Sequence, residues 1–101
     1  MVRLLFVLAG FFISATPVAA AAELKMGLAA IRSGDYLAAL SVFRPLAKQG
    51  DARAQYQLGQ IYSQGRGVPK DYELAAEWYR KAAKHGHVEA QFDLGALYRR
   101  G

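Results

Sequence analysis

The sequence AQYQLGQIY at residues 54–62 returns 36 residues later as AQFDLGALY at residues 90–98. The similarity extends further: of the 32 pairs that join residues 34–65 to residues 70–101 without a gap, 13 are identical. A fixed period of roughly 20–50 residues is typical of stacked repeat arrays, and helix pairs occupy this part of the range. The repeat therefore predicts an all-α fold, in which antiparallel helix pairs stack as a short right-handed solenoid of about two and a half units. Such arrays present a surface, so binding is the expected kind of function.

Apolar residues recur at helical spacing through five segments of the chain. The first helix is predicted over about residues 23–32, and the second begins after Asp35, a residue type favoured as an N-cap. The third covers about residues 51–64, and the fourth runs from Asp71 to about residue 85. The fifth repeats the apolar spacing of the third.

Two glycines, Gly59 and Gly95, fall in the middle of predicted helices at matched positions of the repeat. Glycine inside a helix costs about 1 kcal/mol relative to alanine. Its recurrence predicts that a neighbouring helix approaches there too closely for a Cβ. Trp78 and Leu74 lie off the main apolar stripe of the fourth helix, which predicts packing between repeats, with an aromatic recognition site as the alternative.

Residues 1–22 have the composition of a secretory signal. Arg3 precedes an apolar run over residues 4–13, and small residues at 18–22 suit cleavage after about Ala20 or Ala22. We therefore expect an exported protein, periplasmic or secreted, in a bacterial envelope. The alternative is an uncleaved anchor, because residues 4–22 approach the roughly 20 residues that span a bilayer. Contact with the membrane is expected only in that case.

Removal of residues 1–22 leaves 79 residues with 12 basic and 8 acidic side chains, enough for one small domain. The charges are interspersed, which is typical of a solvated surface and argues against a nucleic-acid partner. The chain has no cysteine, so disulfides and thiolate metal sites are excluded. Folding must rest on packing.

The recurring positions form the pattern A-x3-L-G-x2-Y-x2-G-x-G-V-x2-D-x3-A-x2-W-x3-A-A-x2-G. They are Ala54, Leu58, Gly59, Tyr62, Gly65, Gly67, Val68, Asp71, Ala75, Trp78, Ala82, Ala83 and Gly86, followed in the second copy by Ala90, Leu94, Gly95 and Tyr98. This pattern resembles the Sel-one-like repeat (SLR), a relative of the tetratricopeptide repeat (TPR). By this resemblance, residues 51–86 are one complete unit and residues 87–101 the first helix of a further, incomplete unit. Residues 23–50 resemble a degenerate TPR-like helix pair.

The resemblance implies a non-enzymatic scaffold that binds a protein or peptide of the cell envelope. Bacterial SLR proteins are often exported and serve in envelope signalling, assembly or host contact. One branch, the cysteine-rich proteins of Helicobacter, is described as binding or hydrolysing β-lactams through repeats that each carry a disulfide. Two alternatives follow: an enzyme acting on cell-wall or β-lactam compounds, and a truncated structural fragment of a longer array.

The candidate binding surface is the outward stripe on the first helix of each pair. On the third helix this stripe is Arg53, Gln57, Gln60 and Gln64, and on the fifth it is Glu89, Asp93, Ala96 and Arg100. Long amide side chains can pair with the backbone of an extended peptide. We therefore predict that a partner contacts Arg53, Gln57, Gln60, Gln64, Asp93 and Arg100. The alternative is an ordinary solvated face.

Other arrangements of reactive residues are weak. His85 and His87 flank Gly86 but have only Glu89 nearby as a further metal ligand, and no serine lies in a G-x-S-x-G elbow. The sequence therefore predicts no catalytic residue, no metal and no cofactor. Repeat arrays usually end in a polar capping helix, whereas the fifth helix leaves apolar side chains uncovered. A homodimer through this helix, a shortened reading frame and low stability are the explanations considered.

Overall fold

The computed structural model describes residues 17–100, which form five α-helices and, within that range, no strand. They are α1 (Pro17–Arg32), α2 (Tyr36–Lys48), α3 (Ala52–Gln64), α4 (Tyr72–Lys84) and α5 (Val88–Arg100). Each helix packs chiefly against the next one along the chain, which confirms the all-α repeat solenoid. No helix in this part of the chain is long and apolar enough to cross a bilayer.

The start of α1 differs from the prediction. The helix begins at Pro17 instead of about residue 23. Proline is well tolerated in the first turn of a helix, and the alanines at 19–22 have the highest helix propensity of any residue. The last part of the predicted signal segment is therefore helical, while residues 1–16 lie outside the described part of the chain.

Aspartate side chains begin three of the helices. Asp35, Asp51 and Asp71 each accept a hydrogen bond from the backbone amide three residues later, at 3.1, 3.3 and 3.0 Å. Such caps satisfy amides that have no partner inside the helix and contribute about 0.5–2 kcal/mol each. The helix ends use glycine: Gly50 and Gly86 have φ of 99° and 85°, a region that other residues rarely adopt.

Two clusters of buried side chains form the core. The first joins α1, α2 and α3 through Leu24, Ala39, Leu40, Phe43, Leu46, Ala47, Ala54, Leu58 and Ile61. The second joins α4 and α5 through Ala75, Tyr79, Ala82 and Ala90, with Ala83 and Leu94 packed against it. Trp78 lies on α4 but packs against the first cluster. The complete repeat therefore contributes to both clusters, which positions α3 and α5 relative to each other.

An aromatic ring covers a glycine in each of the two helix pairs. A Cβ on Gly59 would lie 2.5 Å from two ring carbons of Tyr79, and a Cβ on Gly27 would lie 2.6 Å from two ring carbons of Phe43. The predicted close approach at Gly59 is therefore made by a side chain. The 36-residue comparison does not pair Gly27 with Gly59. The reason is that the α1–α2 connection, residues 33–35, is four residues shorter than the α3–α4 connection, residues 65–71.

The longer connection holds the start of α4 against the end of α3. Gly65 ends α3 with φ 66°, and its amide donates to the Ile61 carbonyl. Six residues later the chain has turned back, because the Asp71 amide donates to the Tyr62 carbonyl at 2.9 Å. The backbone therefore makes one tight turn here, which involves Tyr62, Gly65 and Asp71.

The middle of this connection lies on the start of α2. A Cβ on Gly67 would meet the Cβ of Tyr36 at 2.7 Å, and Gly67 has φ 74°. The Arg66 guanidinium donates to the Tyr36 hydroxyl at 2.5 Å, while Val68 packs against the first cluster. The G-x-G-V motif therefore attaches the complete repeat to the preceding pair.

A glutamine at a matched position ties each α-helical pair to the next. The Gln55 amide donates to the Ala47 carbonyl at 3.0 Å, and the Gln91 amide donates to the Ala83 carbonyl at 3.3 Å. Gln55 is buried although glutamine is usually exposed. Its role was not foreseen from the sequence, since only the position of the preceding helix end makes a buried amide favourable.

Candidate partner-binding site

Several residues of the predicted stripes on α3 and α5 line a cleft between these two helices. This α3–α5 cleft has a volume of about 170 Å³ and is lined by Gln60, Ser63, Gln64, Tyr79, Asp93, Ala96, Leu97 and Arg100. Four of the six predicted contact residues are in this lining. Arg53 and Gln57 are not, although they share the same stripe of α3. The structure thus brings together the C-terminal half of the stripe on α3 and most of the stripe on α5.

Arg53 instead lies at the start of α3 beside the helix cap. Its guanidinium pairs with the Asp51 carboxylate at 3.1 Å. Partial burial opposes ionisation of Asp51, but the hydrogen bonds from Arg53 and from the backbone amides of Ala54 and Arg53 lower the pKa of its carboxyl. Arg53 therefore supports the ionised cap as well as facing solvent.

Three lining residues were missed by the sequence analysis: Ser63, Tyr79 and Leu97. The Tyr79 ring comes from α4 and lies against Gly59, and its hydroxyl is 3.3 Å from the Ser63 hydroxyl. Ser63 also donates to the Gln60 carbonyl at 3.0 Å. Tyr79 thus reaches the cleft from α4, whereas Ser63 and Leu97 belong to α3 and α5. The stripe pattern of a single helix contains no signal for this arrangement.

Tyr56 fixes two polar residues of the cleft. Its hydroxyl donates to an Asp93 carboxylate oxygen at 2.8 Å and accepts from the Gln60 amide at 2.9 Å. Burial, followed by the hydrogen bond to Asp93, raises the pKa of Tyr56 well above its usual value. Tyr56 therefore stays protonated and donates at neutral pH. This hydrogen bond holds the Asp93 carboxylate in place.

The two histidines lie at helix ends. His87 Nδ1 accepts from the Ala90 amide at 3.2 Å at the start of α5, and its ring stacks on Tyr56 with the centroids 4.5 Å apart. His85 Nδ1 lies 2.9 Å from the Lys81 carbonyl. His87 thus helps to orient α5 against α3. Within residues 17–100, no three histidine, cysteine, aspartate or glutamate side chains converge as a metal site.

A second cleft lies between α4 and α5, on the other side of α5. It has a volume of about 380 Å³ and is lined by Tyr72, Glu73, Ala76, Glu77, Arg80, Leu97 and Tyr98. The Arg80 guanidinium donates to the Tyr98 hydroxyl at 3.3 Å, which repeats the 3.2 Å bond from Arg44 to Tyr62 one unit earlier. This cleft therefore contains a structural contact of the repeat.

The repeats match a known family model. The Sel1 repeat model matches residues 52–87 and again residues 88–101, which are the α3–α4 pair and α5. Residues 52–101 therefore match Sel1 repeats. The first helix pair lies outside both matches.

Known proteins with related sequence or structure are consistent with this assignment. A Sel1 repeat protein from Oxalobacter formigenes has a crystal structure that aligns with a TM-score of 0.73 at 32% identity, covering 86% of this chain and 39% of that protein. The curated relatives include DAP3-binding cell death enhancer 1 of Rattus norvegicus and of Mus musculus, each 44% identical over 46 residues. The match covers 46% of this chain and 9% of each relative, so this chain resembles a small part of those proteins. Sel1 repeats are generally scaffolds for protein–protein interaction.

Proposed function

We propose that this chain is an exported, non-enzymatic repeat scaffold that binds a protein or peptide of the cell envelope in the α3–α5 cleft. The observation that carries the proposal is the convergence of Gln60, Gln64, Asp93 and Arg100 on one cleft between the first helices of successive repeats. These groups lie on facing helices of a Sel1 repeat array, a class of scaffold that generally binds proteins.

The chemistry of the cleft suits a stretch of polypeptide. The amides of Gln60 and Gln64 can both donate and accept hydrogen bonds, as peptide groups require. Asp93 and Arg100 lie seven residues apart on α5, about two helical turns, and supply opposite charges. A partner with a basic and an acidic group at a similar spacing would bind in one direction only.

The size of the cleft also favours a peptide contact over a small-molecule site. Pockets for drug-sized ligands are usually about 300–1,000 Å³, whereas this cleft is about 170 Å³. It can accept one side chain or a short extended segment. Its lining has one serine but no imidazole or thiol, and Ser63 donates its proton to a backbone carbonyl. This arrangement supports binding without catalysis.

Blocking the cleft tests the proposed surface. A photo-crosslinking residue at Gln64, which is exposed at the cleft, is expected to capture a defined envelope protein. The same residue at Lys48, exposed at the end of α2, serves as the control position. Ala96→Trp should fill the cleft and reduce the crosslinked product by at least about tenfold, since interface anchors contribute 1–2 kcal/mol or more. Ala29→Trp, at an exposed alanine of α1, should leave it unchanged. Identical products from positions 64 and 48, identified by mass spectrometry, would reject the cleft as the binding site.

Export is proposed from the order of charge, apolar run and small residues in residues 1–22. In a bacterial host, the intact mass of the protein in the periplasmic fraction is expected to lack the first 20 or 22 residues. Cleavage there shortens α1 but keeps Leu24 and Gly27, which pack within the first helix pair. Full-length protein confined to the cytoplasmic fraction would contradict export, and full-length protein in the membrane would indicate an anchor.

A further inference from the structure

One face of α5 is apolar and open. Val88, Phe92, Gly95 and Arg99 follow one another at i, i+4, i+7 and i+11, and we name these four residues the α5 outer face. Val88 and Phe92 are each 70% exposed, which is unusual for large apolar side chains one turn apart on a helix. None of the four lines either cleft described above.

The corresponding face of α3 shows what such a surface binds. Its residues are Ala52, Tyr56, Gly59 and Ser63, each 36 positions earlier. Ala52 and Tyr56 pack against the second cluster, the Tyr79 ring lies on Gly59, and the Tyr79 hydroxyl is 3.3 Å from Ser63. An amphipathic helix, α4, supplies that ring. On α1, Gly27 likewise receives the Phe43 ring of α2.

Gly95 is the third helical glycine of this kind, and no aromatic ring covers it among the described residues. Apart from residues 94–96 and the backbone of its own helix, the only described atom within 4 Å of a Cβ on Gly95 is a terminal nitrogen of Arg99, at 3.6 Å. Arg99 forms no ion pair among residues 17–100. Its guanidinium is the end of a flexible side chain, so an incoming ring could displace it or stack beside it.

We propose that the α5 outer face binds an amphipathic helix, with an aromatic ring on Gly95 and an acidic side chain near Arg99. The ring follows from the two ring–glycine contacts inside the chain. The acid follows from charge complementarity, because Arg99 stands where α3 has the neutral Ser63. Large rings are common anchors at protein interfaces, and they contribute most when fully desolvated. This surface is separate from the α3–α5 cleft and does not depend on the proposed function.

A peptide of residues 71–86 is the probe, because it carries the α4 helix with its aspartate cap, Tyr79 and two glutamates. The α4 segment inside the protein stays on α3, since its effective concentration there exceeds that of the added peptide. A fluorescently labelled peptide is expected to bind the full chain, as measured by anisotropy. Tyr79→Ala in the peptide should weaken binding by at least about 30-fold, the equivalent of losing a 2 kcal/mol anchor.

Changes in the protein locate the binding face. Gly95→Leu fills the position above the glycine and should weaken binding by a similar factor, while circular dichroism shows that the helices remain. Arg99→Glu should weaken it by at least about tenfold through like-charge repulsion. Ala96→Trp, which blocks the α3–α5 cleft, should leave peptide binding unchanged. This control separates the proposal from the proposed function.

Three results would overturn the proposal. The first is equal binding of the peptide to the parent chain and to Gly95→Leu. The second is no binding at peptide concentrations up to about 1 mM, a Kd weaker than that expected for a specific contact. The third is a stable dimer in light scattering that Gly95→Leu converts to a monomer, because the occupant would then be a second copy of this chain.

Discussion

Phe43→Ala is expected to lower the free energy of unfolding by about 3–5 kcal/mol. The Phe43 side chain is fully buried, belongs to the first cluster and covers Gly27, so its removal leaves a cavity between α1 and α2. Domains of this size are stable by only about 5–15 kcal/mol, and the variant should therefore lose a large share of its stability. Urea denaturation followed by circular dichroism at 222 nm measures the effect.

Phe92→Ala is the matched control for this prediction. It removes the same atoms from a side chain that is 70% exposed, so its expected effect lies within about 0.5 kcal/mol. Similar losses from both variants would show that Phe43 is not the anchor of the first cluster. The slope of the unfolding free energy against urea concentration should be the same for both variants. An unchanged slope would show that the difference between them arises in the native state.

Gly59→Ala is expected to destabilise the protein by about 1–3 kcal/mol, although alanine is the better helix former. The new methyl group would lie 2.5 Å from two carbons of the Tyr79 ring. Tyr79 is itself buried, so the ring cannot move aside without disturbing the second cluster and its contact with Ser63. The midpoint of urea denaturation should therefore fall.

The equivalent change in the next repeat should have the opposite effect on stability. Gly95→Ala places its methyl group in open space, with only the Arg99 side chain nearby, so helix propensity should dominate. We expect a gain of up to about 1 kcal/mol. If both alanine variants shift the midpoint in the same direction, the ring contact is not what requires glycine at position 59.

Much of the fold follows from the sequence because the repeat constrains it several times over. The 36-residue period, the aspartate caps and the glycines at helix ends all indicate the same helix boundaries, and the structure agrees for α2 to α5. The start of α1 was predicted too late, since residues 17–22 were assigned to the signal segment. Helix propensity does not depend on whether a segment is later removed.

The candidate site was only partly predictable. A helical stripe identifies residues that share a face, and this placed Gln60 and Gln64 opposite Asp93 and Arg100. It could not separate Arg53, which pairs with Asp51, from the residues of the cleft. The Tyr56–Asp93 hydrogen bond joins residues 37 positions apart, and it depends on the angle between α3 and α5. That angle is set by α4, whose packing the stripe does not describe.

The attachment of the G-x-G-V connection to Tyr36 has a consequence for how the protein denatures. Arg66 and Gly67 contact the preceding helix pair, and Trp78 packs against its cluster. Unfolding of either helix pair would remove contacts from the other pair. The contacts between the pairs therefore contribute to the stability of the chain as much as those within each pair. The two pairs should melt together as one cooperative block, and neither is expected to persist alone.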